Sequence, residues 1–330
     1  MALRDRFNRL HDDLRVSVTD RCNLRCSYCM PEEPVWFPRD QILDYEEMHR
    51  LIQVLVEHGV RKVRVTGGEP LVRKDLTRFI SLLAGSDGIE DISLTTNGVL
   101  LEAMARPLAD AGLTRVNVSL DTLDPARFRQ LTRRDDLDKV LAGLDAAAAS
   151  GLTPLKINTV LLKGINEDEA ERFVETARDK GWEVRFIEFM PLENSGTWDL
   201  SQVVTGKEVL ERLRAHWDLD PDPSADPSAP ASRFLFRDGR GRVGFINSIS
   251  QPFCGDCSRL RLTADGKFRV CLYDQAEIDL KTPLRQGATD GELAGLIHDA
   301  LQEKGRGGAL EILERQEPLP GNRTMHQIGG

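Results

Sequence analysis

Six cysteines fall into two groups of three, and this grouping is the strongest chemical signal in the sequence. The first group lies in "CNLRCSYC" and consists of Cys22, Cys26 and Cys29. The second lies in "CGDC" and "VCL" and consists of Cys254, Cys257 and Cys271. Thiolates are preferred ligands of iron–sulfur clusters, zinc and Cu(I). The spacing therefore predicts two metal centres with three cysteine ligands each.

The number of ligands favours one kind of centre over another. A structural zinc ion normally has four protein ligands, and neither group contains a histidine that would be the fourth. A [4Fe–4S] cluster held by three thiolates leaves one iron open, so that a small molecule can bind it. We expect this arrangement at both sites. For the second group, a zinc ion completed by the distant His298 or His326, or a cluster with four protein ligands, stays open as an alternative.

The cellular compartment bears on a further alternative, disulfide bonds. The stretch "MALRDRFNRLHDDLRVS" lacks the apolar core of a signal peptide, and no apolar run approaches the roughly 20 residues of a membrane span. We therefore expect a cytoplasmic protein without a membrane segment, and disulfides are rare in that compartment. The net charge of −9 argues against a general nucleic-acid binder, which would be basic.

The cysteine groups need a scaffold, and short β-branched runs alternate with amphipathic stretches through the first two thirds of the chain. Predicted strands cover residues 14–19, 62–66, 91–96, 115–120, 155–161 and 183–189. Helical stretches such as "YEEMHRLIQVLVEHG" separate them, and several end in glycine, a usual helix stop. Six βα repeats imply a parallel sheet with helices outside it. We predict an α/β fold, an incomplete (β/α)6 TIM-like barrel, with a doubly wound sheet as the alternative.

The predicted strands carry polar residues on the face that would line the barrel. Strands alternate sides with a period of two. When the apolar residues face the helices, the opposite face carries Arg15, Ser17, Arg64, Ser93, Thr95, Asn117, Ser119, Lys156 and Asn158. Barrel interiors are usually packed with branched apolar side chains, and buried polar groups are costly unless satisfied. The pattern indicates a polar ligand inside. On the sixth strand Arg185 and Met190 have opposite parity, so its inward face stays undecided.

The pattern changes after about residue 215. This change predicts a partial barrel over residues 1–215 and a C-terminal α+β domain over 216–330, which closes the open side of the barrel. "DPDPSADPSAP" (220–230) suits a surface loop or linker. "FLFRDGRGRVGFINSIS" and "CGDCSRLRLTADGKFRVCL" each predict a hairpin, and the second hairpin would return Cys271 to Cys254 and Cys257.

A set of cations indicates that the polar ligand is a polyanion. "SRLRL" places Arg259 and Arg261 on one face of a strand. Four further cations can converge on the interior, namely Arg15, Arg64, Lys156 and Arg185. Arginine forks match phosphate oxygens two at a time, so a nucleoside triphosphate fits. The sequence has no GxxxxGK[ST] loop, and a conventional nucleotidase is therefore not expected.

The first cysteine group carries a resemblance to a known superfamily. C-x3-C-x2-C with an aromatic residue, Tyr28, before its last cysteine resembles the signature of the radical S-adenosylmethionine (SAM) enzymes. "TGGEP" (66–70) is similar to their motif for the amino group of SAM, where Glu69 would accept from the ammonium or stabilise the loop. The resemblance implies that the open iron chelates SAM, and that one electron cleaves it to methionine and a 5′-deoxyadenosyl radical.

A narrower resemblance covers nearly the whole chain. Both cysteine groups, with "RVSVTDRCN", "VRVTGGEPLVR", "LTTNG", "RFIEFMP", "CSRLRL" and a terminal "GG", closely resemble the GTP 3′,8-cyclase family of molybdenum cofactor biosynthesis. This implies a lyase with SAM and two [4Fe–4S] clusters. It implies that the radical takes the 3′ hydrogen of GTP and that the ribose radical attacks C8 of guanine, which gives 3′,8-cyclo-7,8-dihydro-GTP.

The same resemblance implies roles for individual residues. Cys22, Cys26 and Cys29 would hold the cluster that binds SAM, and Cys254, Cys257 and Cys271 would hold a second cluster that takes the guanine end. Contacts to SAM are expected from Tyr28, Gly68, Glu69, Ser119 and Met190. Contacts to GTP are expected from Arg15, Arg64, Thr95, Lys156, Arg185, Arg259, Leu260 (through its backbone) and Arg261, of which Arg259 and Arg261 would also be catalytic. Gly329 and Gly330 would form a flexible tail near the pocket.

The resemblance also implies partners. These are a low-potential electron donor and cyclic pyranopterin monophosphate synthase as the next enzyme of the pathway, while a homodimer is expected because such dimers are common. Two alternatives stay open: another radical SAM enzyme with an auxiliary cluster, such as a peptide maturase, and a non-catalytic zinc-binding module. The sequence departs from the family pattern at Asn8, where glycine is frequent, and in the long acidic linker at 220–230. Neither departure touches an expected ligand.

Overall fold

The fold is built on one continuous β-sheet. The structure is a computed structural model that describes residues 2–192, 198–226, 228–317, 319 and 323–329. Within these residues the sheet has twelve strands. In chain order they are β1 (Asp13–Ser17), β2 (Lys62–Thr66), β3 (Asp91–Thr96), β4 (Arg115–Ser119), β5 (Lys156–Leu161), β6 (Glu183–Glu188), β7 (Leu219–Pro221), β8 (Ser232–Phe236), β9 (Arg242–Ile246), β10 (Arg259–Leu262), β11 (Lys267–Arg269) and β12 (Ile278–Asp279).

Helices connect the first six strands, as the βα periodicity predicts. In the described part of the chain they are α1 (Tyr45–Glu57), α2 (Leu76–Ala84), α3 (Leu101–Asp110), α4 (Pro125–Thr132), α5 (Leu137–Ala149), α6 (Ala170–Lys180), α7 (Gly206–Arg214), α8 (Lys281–Arg285), α9 (Asp290–Gln302), α10 (Gly308–Arg315) and α11 (Met325–Ile328). Their starts follow local chemistry. Before α1, for example, Asp44 and Glu47 exchange side-chain and backbone hydrogen bonds in a capping box.

The order of the strands confirms the parallel barrel-like sheet and adds a feature that the sequence did not predict. Strands β1 to β6 are neighbours in sequence order and all parallel. The C-terminal region contributes a further parallel strand to each edge, because β10 pairs with β1 and β9 pairs with β6. Antiparallel strands then extend both edges, as the two predicted hairpins require. The C-terminal region therefore flanks the barrel on both sides.

The hydrophobic core lies between the sheet and the helices. Leu14 and Val16 on β1 and Val65 on β2 are completely buried on this outer face. They pack with α1 residues such as Met48 and Leu51. Apolar burial on this side leaves the inner face free for the polar residues of the same strands, which is the division predicted from the alternation.

The proline-rich segment differs in part from the loop that was expected. Residues Leu219–Pro221 form strand β7, which pairs antiparallel with β8 at the end of the sheet. Leu219 is buried, so it anchors the strand to the core. Pro221 is tolerated because an edge strand does not need every backbone donor. The residues that follow form turns where they are described. None of the helices in the described ranges is both long and apolar enough to span a membrane.

Candidate active site

A single cavity brings the two cysteine groups together. It has a volume of about 320 Å³ and lies at the carboxyl ends of the parallel strands, where sites in parallel α/β folds are built. Its wall contains all six cysteines, namely Cys22, Cys26, Cys29, Cys254, Cys257 and Cys271. All six are free thiols. Two groups more than 220 residues apart in the chain thus face one space.

The first cysteine group lies in a loop after β1 that is held on both sides. The backbone N–H groups of Arg25 and Ser27 donate to the end of α4 at 2.9 and 3.0 Å. Asn97 donates from its side chain to the sulfur of Cys22 at 3.7 Å. Burial raises the pKa of Cys22 to about 11 and that of Cys29 to about 12. These thiols keep their protons until a metal displaces them.

Tyr28 is fixed by a carboxylate that the sequence analysis did not single out. Its hydroxyl donates to Asp121, which lies two residues after the end of β4 and also lines the cavity. The other carboxylate oxygen accepts from Val160 N at 2.8 Å. Burial raises the pKa of Asp121 to about 6, against the lowering effect of these two hydrogen bonds. The Tyr28 ring meets Phe189 edge to face at 6.3 Å. Asp121 could have been predicted from the sequence as a polar residue close to the end of a parallel strand, where sites in such folds are built.

The "TGGEP" turn packs directly against the cysteine loop. A Cβ atom on Gly68 would lie 2.5 Å from the carbonyl oxygen of Asp20 and 2.6 Å from that of Arg21, so only glycine fits there. Glu69 accepts hydrogen bonds from Leu71 N, Thr96 Oγ1 and Asn97 N at 2.6–2.9 Å. Burial raises its pKa to about 7 although these bonds lower it. These contacts fit the loop-stabilising role considered for Glu69.

The second cysteine group lies next to donors and cations. The backbone N–H groups at the start of α10 donate to the Cys254 thiol, whose pKa burial nevertheless raises. Arg9 donates to the carbonyl oxygen of Cys254 at 2.8 Å. Burial raises the pKa of Cys257. Arg259 and Lys304 together lower it by more than burial raises it, so the pKa falls to about 7. The cationic neighbours thus favour the thiolate form of Cys257.

Three arginines stand in one row across three strands. Arg15 on β1 is paired in register with Arg261 on β10 and with Arg64 on β2. Burial lowers the pKa of Arg15, and the positive charges of Arg261 and Arg64 lower it further. Burial also lowers the pKa of Arg261 and that of Arg64 to about 10 each. All three line the cavity, which makes its wall strongly positive.

Several of these guanidinium nitrogens have no protein partner. Within the described part of the chain, Arg15 Nε, Arg259 Nη2, and Arg261 Nε and Nη1 are buried and make no hydrogen bond. Buried polar groups are almost always paired, and buried charges need a counter-charge. An anion with several oxygens in the cavity would satisfy both requirements.

Of the remaining residues predicted to contact GTP, two line the cavity and two do not. Thr95 and Arg185 line the cavity, and Arg185 pairs with Glu183 at 2.6 Å. Lys156 is buried behind the wall beside Arg185, and burial together with that charge lowers its pKa to about 7. Leu260 belongs to the hydrophobic core, so its side chain points away from the cavity and only its backbone could reach a ligand.

The residues predicted to contact SAM line the cavity. Tyr28, Gly68, Glu69, Ser119 and Met190 all contribute to its wall. Arg185 and Met190 do so together despite their opposite parity, because β6 ends at Glu188 and the alternation does not continue beyond it. The undecided inward face of the sixth strand is thereby resolved.

The C-terminal helix α11 reaches the first cysteine group. Met325 and His326 line the cavity, and the backbone N–H of His326 donates to the Cys29 thiol. His326 thus lies beside the first group and not beside the second, for which it was an alternative ligand. A Cβ atom on Gly329 would lie 2.9 Å from Ser17 Cβ and Thr66 Cγ2, so the tail enters the barrel. Gly330 lies outside the described residues.

Comparison with known proteins identifies the family. A Radical SAM superfamily model matches residues 16–177, and a Molybdenum Cofactor Synthesis C model matches residues 182–309. The GTP 3′,8-cyclase of Rhodopirellula baltica is 47% identical over 100% of this chain and 92% of its own. That of Thermodesulfovibrio yellowstonii is 43% identical over 99% of this chain and 100% of its own.

The chain belongs to the GTP 3′,8-cyclase family. Membership makes it a radical SAM enzyme, with SAM and an iron–sulfur cluster as cofactors. The family models divide the chain near residue 180, and the division at 215 and 216 drawn from the sequence stays a prediction.

Solved structures share the fold of this GTP 3′,8-cyclase family member. SuiB from Streptococcus suis bound to its precursor peptide SuiA superposes with a TM-score of 0.62 at 15% identity, over 98% of this chain and 77% of that one. SuiB bound to S-adenosylmethionine gives 0.59 at 15% identity, over 87% and 68%. At this level of identity the similarity extends to the fold alone.

The donor set of the first cysteine group fits an iron–sulfur cluster. Three free thiols face the cavity, and soft thiolates are the ligands that such clusters require. No three His, Cys, Asp or Glu side chains in the described ranges converge closely enough to hold one metal ion. The thiols of the second group are equally free.

Proposed function

We propose that this protein converts GTP into (8S)-3′,8-cyclo-7,8-dihydroguanosine 5′-triphosphate, the first step of molybdenum cofactor biosynthesis. The observation that carries the proposal is the shared cavity, in which both cysteine groups face several arginines. Buried nitrogens of Arg15, Arg259 and Arg261 make no hydrogen bond to the described part of the chain. A radical enzyme acting on an uncharged substrate has no need of these arginines. The full-length relatives named GTP 3′,8-cyclase support the same conclusion.

Family membership supports a cofactor site at the end of the cavity that the first cysteine group lines. Cys22, Cys26 and Cys29 would hold a [4Fe–4S] cluster, and when bound with SAM it supplies the 5′-deoxyadenosyl radical that takes the 3′ hydrogen of GTP. The chain's own residues shape this end of the cavity. Tyr28, fixed by Asp121, and the close-packed Gly68 set the wall, and Ser119 and Met190 complete it. Glu69 keeps the turn in place through its three accepted hydrogen bonds.

The substrate half of the cavity is cationic. Arg15, Arg64, Arg259 and Arg261 would bind the triphosphate, because arginine donors match phosphate oxygens in pairs. Thr95 on β3 and Arg185 on β6 would contact the same substrate. Lys156, behind the wall, would act through its charge, and Leu260 would act through its backbone. Arg259 and Arg261 lie nearest in sequence to the second cysteine group, which supports their catalytic assignment.

Cys254, Cys257 and Cys271 would hold a second [4Fe–4S] cluster, and its open iron would take the guanine end of GTP. Three observations support this assignment. The group has three free thiols, it faces the cavity, and helix donors and cations surround it. The bound nucleotide would then be held at its phosphates by arginines and at its base by iron.

The proposal extends to the surroundings of the enzyme. Six free cysteines support a reducing compartment, and we place the protein in the cytoplasm. A low-potential electron donor would reduce the first cluster, and cyclic pyranopterin monophosphate synthase would consume the product. A homodimer is proposed from the general frequency of such assemblies. The protein would bind neither nucleic acid nor membranes.

Anaerobic turnover tests the proposal. The reconstituted enzyme is incubated with SAM, GTP and dithionite, and 5′-deoxyadenosine and the cyclised nucleotide are quantified. Both are expected in equal amounts from the parent, and the cyclised product is lost in Arg259→Ala and Arg261→Ala. Arg212→Ala, at a surface pair with Glu171, is the matched control. Indifference to GTP would favour a peptide maturase, and zinc without iron or sulfide would favour a zinc-binding module.

A further inference from the structure

Lys304 is a buried cation without a hydrogen-bond partner. It follows α9 and is only 2% exposed. Its ammonium nitrogen makes no hydrogen bond to any part of the chain that the structure describes. A lysine side chain can usually extend to solvent, and a charge that is buried without a partner is strongly unfavourable. The side chain therefore points to a negative group that completes its environment.

The second cysteine group lies close enough to Lys304 to influence its charge. Burial is the largest influence on the pKa of Lys304 and lowers it, and the charge of Arg9 lowers it too. Cys257, Cys271 and, to a smaller extent, Asp5 raise this pKa. The influence is mutual, because Lys304 and Arg259 lower the pKa of Cys257. The nearest positive and negative groups around Lys304 thus belong either to the cysteine group or to the N-terminal segment, residues 2–12.

Asp5 is already occupied and is not the main partner of Lys304. One of its carboxylate oxygens accepts from Arg9 Nε at 2.6 Å and lies 3.0 Å from His11 Nε2. The other accepts from the backbone N–H groups of Phe7 and Arg9 at 2.9 and 3.0 Å. With these contacts made, the sulfur atoms of Cys257 and Cys271, which would be thiolates as cluster ligands, are the other negative partners that Lys304 can have.

The N-terminal segment holds Lys304 against the cysteine group. Arg9 donates to the carbonyl oxygens of Gly305 and Arg306 at 2.7 Å each, directly after Lys304. The same guanidinium donates to the carbonyl oxygen of Cys254 at 2.8 Å. One side chain thus connects the backbone next to Lys304 with the backbone of a proposed cluster ligand, and it fixes their separation.

We propose that Lys304 is a positioning residue for the second iron–sulfur cluster, where its ammonium neutralises the sulfurs of Cys257 and Cys271 and raises the reduction potential of the cluster. This inference rests on the proposed function, since it needs that cluster. The potential of an iron–sulfur cluster depends on net charge, hydrogen bonds to sulfur and exposure, and outer residues of this kind tune metal sites. A fixed cation nearby stabilises the reduced form, which carries one more negative charge.

The test isolates the second cluster. A background variant in which Cys22, Cys26 and Cys29 are all replaced by alanine removes the first cluster. Three single substitutions are then compared in this background. Lys304→Met removes the charge at similar length, Lys304→Arg keeps it, and Lys267→Met removes a lysine that pairs with Asp279 on the neighbouring strands. Iron and sulfide content is measured after anaerobic reconstitution, and the midpoint potential is followed by electron paramagnetic resonance.

The expected result is a lower potential in Lys304→Met. At a fixed solution potential its reduced-to-oxidised ratio should fall about tenfold, which is a shift of about 59 mV for one electron. Lys304→Arg and Lys267→Met should stay close to the background. Loss of the cluster in Lys304→Met but not in Lys304→Arg would equally support a role for the charge.

Other outcomes distinguish a failure of the proposed second cluster from a failure of the role proposed for Lys304. If the background variant itself assembles no iron–sulfur cluster, the second cluster of the proposed function is wrong, and the role of Lys304 fails with it. If the cluster assembles but Lys304→Met leaves its potential unchanged, only the role of Lys304 is overturned. Equal loss of the cluster in Lys304→Met and Lys304→Arg would also overturn it, because shape rather than charge would then be required.

Discussion

Arg15 and Arg261 are directly paired residues on two adjacent parallel strands, and both point into the same cavity. Like charges in paired positions repel one another, and the repulsion is strong here because Arg261 is buried and Arg15 is half-buried with its Nε atom inaccessible. Such a pair destabilises the empty protein and favours binding of an anion. The row of arginines is therefore a feature selected for a ligand rather than for stability of the fold.

This relationship predicts opposite effects of one substitution on stability and binding. In Arg261→Met, the melting temperature of the protein without ligand should be unchanged or higher, because a buried repulsive charge is removed. GTP should bind about 10- to 100-fold more weakly, since hydrogen bonds to charged groups contribute about 1.5–3 kcal/mol. Thermal shift measured with and without GTP provides both quantities, with Arg212→Met as the surface control. A large loss of stability with unaltered GTP affinity would contradict the prediction.

Glu69 should make the stability of the protein without cofactors depend on pH. Burial raises its pKa in the folded state to about 7, from 4.5. The unfolded chain then releases this proton at lower pH than the folded protein. Stability is therefore greatest below about pH 4.5 and declines as pH rises to about 7, by about 3 kcal/mol at most.

The measurement for Glu69 is the free energy of unfolding from urea titrations between pH 5 and 8. The parent should lose stability relative to Glu69→Gln as the pH rises, because glutamine cannot ionise. Thr96→Val is the control, since it removes one hydrogen bond to Glu69 and keeps the carboxyl group. Its stability should still decline as the pH rises, up to a somewhat higher pH than in the parent, because a hydrogen bond that lowers the pKa of Glu69 is lost. Parallel curves for the parent and Glu69→Gln would refute the expectation.

The hydrogen bond from Tyr28 to Asp121 should contribute to the order of the cysteine loop. Tyr28→Phe leaves a buried carboxylate with Val160 N as its remaining donor among the described contacts. We expect a loss of about 1–2 kcal/mol in unfolding free energy and weaker binding of SAM. Tyr45→Phe is a matched control, because its hydroxyl donates to the carbonyl oxygen of Lys74 away from the cavity. Equal SAM affinity in Tyr28→Phe and the parent would disprove the role in binding.

His326 tests whether three thiolates are the full protein ligand set of the first cluster. The residue is 3% exposed, its ring meets Trp36 edge to face at 5.6 Å, and its backbone N–H donates to the Cys29 thiol. We expect His326→Ala to retain the iron and sulfide content of the parent, measured in a background where Cys254, Cys257 and Cys271 are replaced by alanine. A clear loss of iron at unchanged folding would identify the imidazole as a fourth ligand and remove the open position that SAM needs.

Much of the sheet could be predicted from the sequence because its signals are local. The six predicted strands agree with β1 to β6 to within one or two residues at each end. The inward position of Arg15, Arg64 and Thr95 followed from alternation alone. Lys156 was predicted from the same alternation but does not line the cavity. Alternation predicts which face of the sheet a side chain is on, but not how far along the strand the cavity extends.

The features that the sequence did not predict depend on non-local contacts. The pairing of β9 with β6 and of β10 with β1 joins segments whose spatial order no local pattern encodes. Asp121 and Lys304 acquire their importance only from partners distant in the chain. Met190 was ambiguous because the strand periodicity was extended beyond the point where β6 ends.

The two strands that flank the barrel have a consequence for dissecting the protein. If the chain were cut after residue 215, β1 and β6 would each lose a parallel neighbour and expose a row of unsatisfied amide groups. Exposed edges of this kind promote aggregation. The N-terminal portion is thus not an autonomous module, and neither half can be exchanged between homologues without carrying its complementary edges from the same parent.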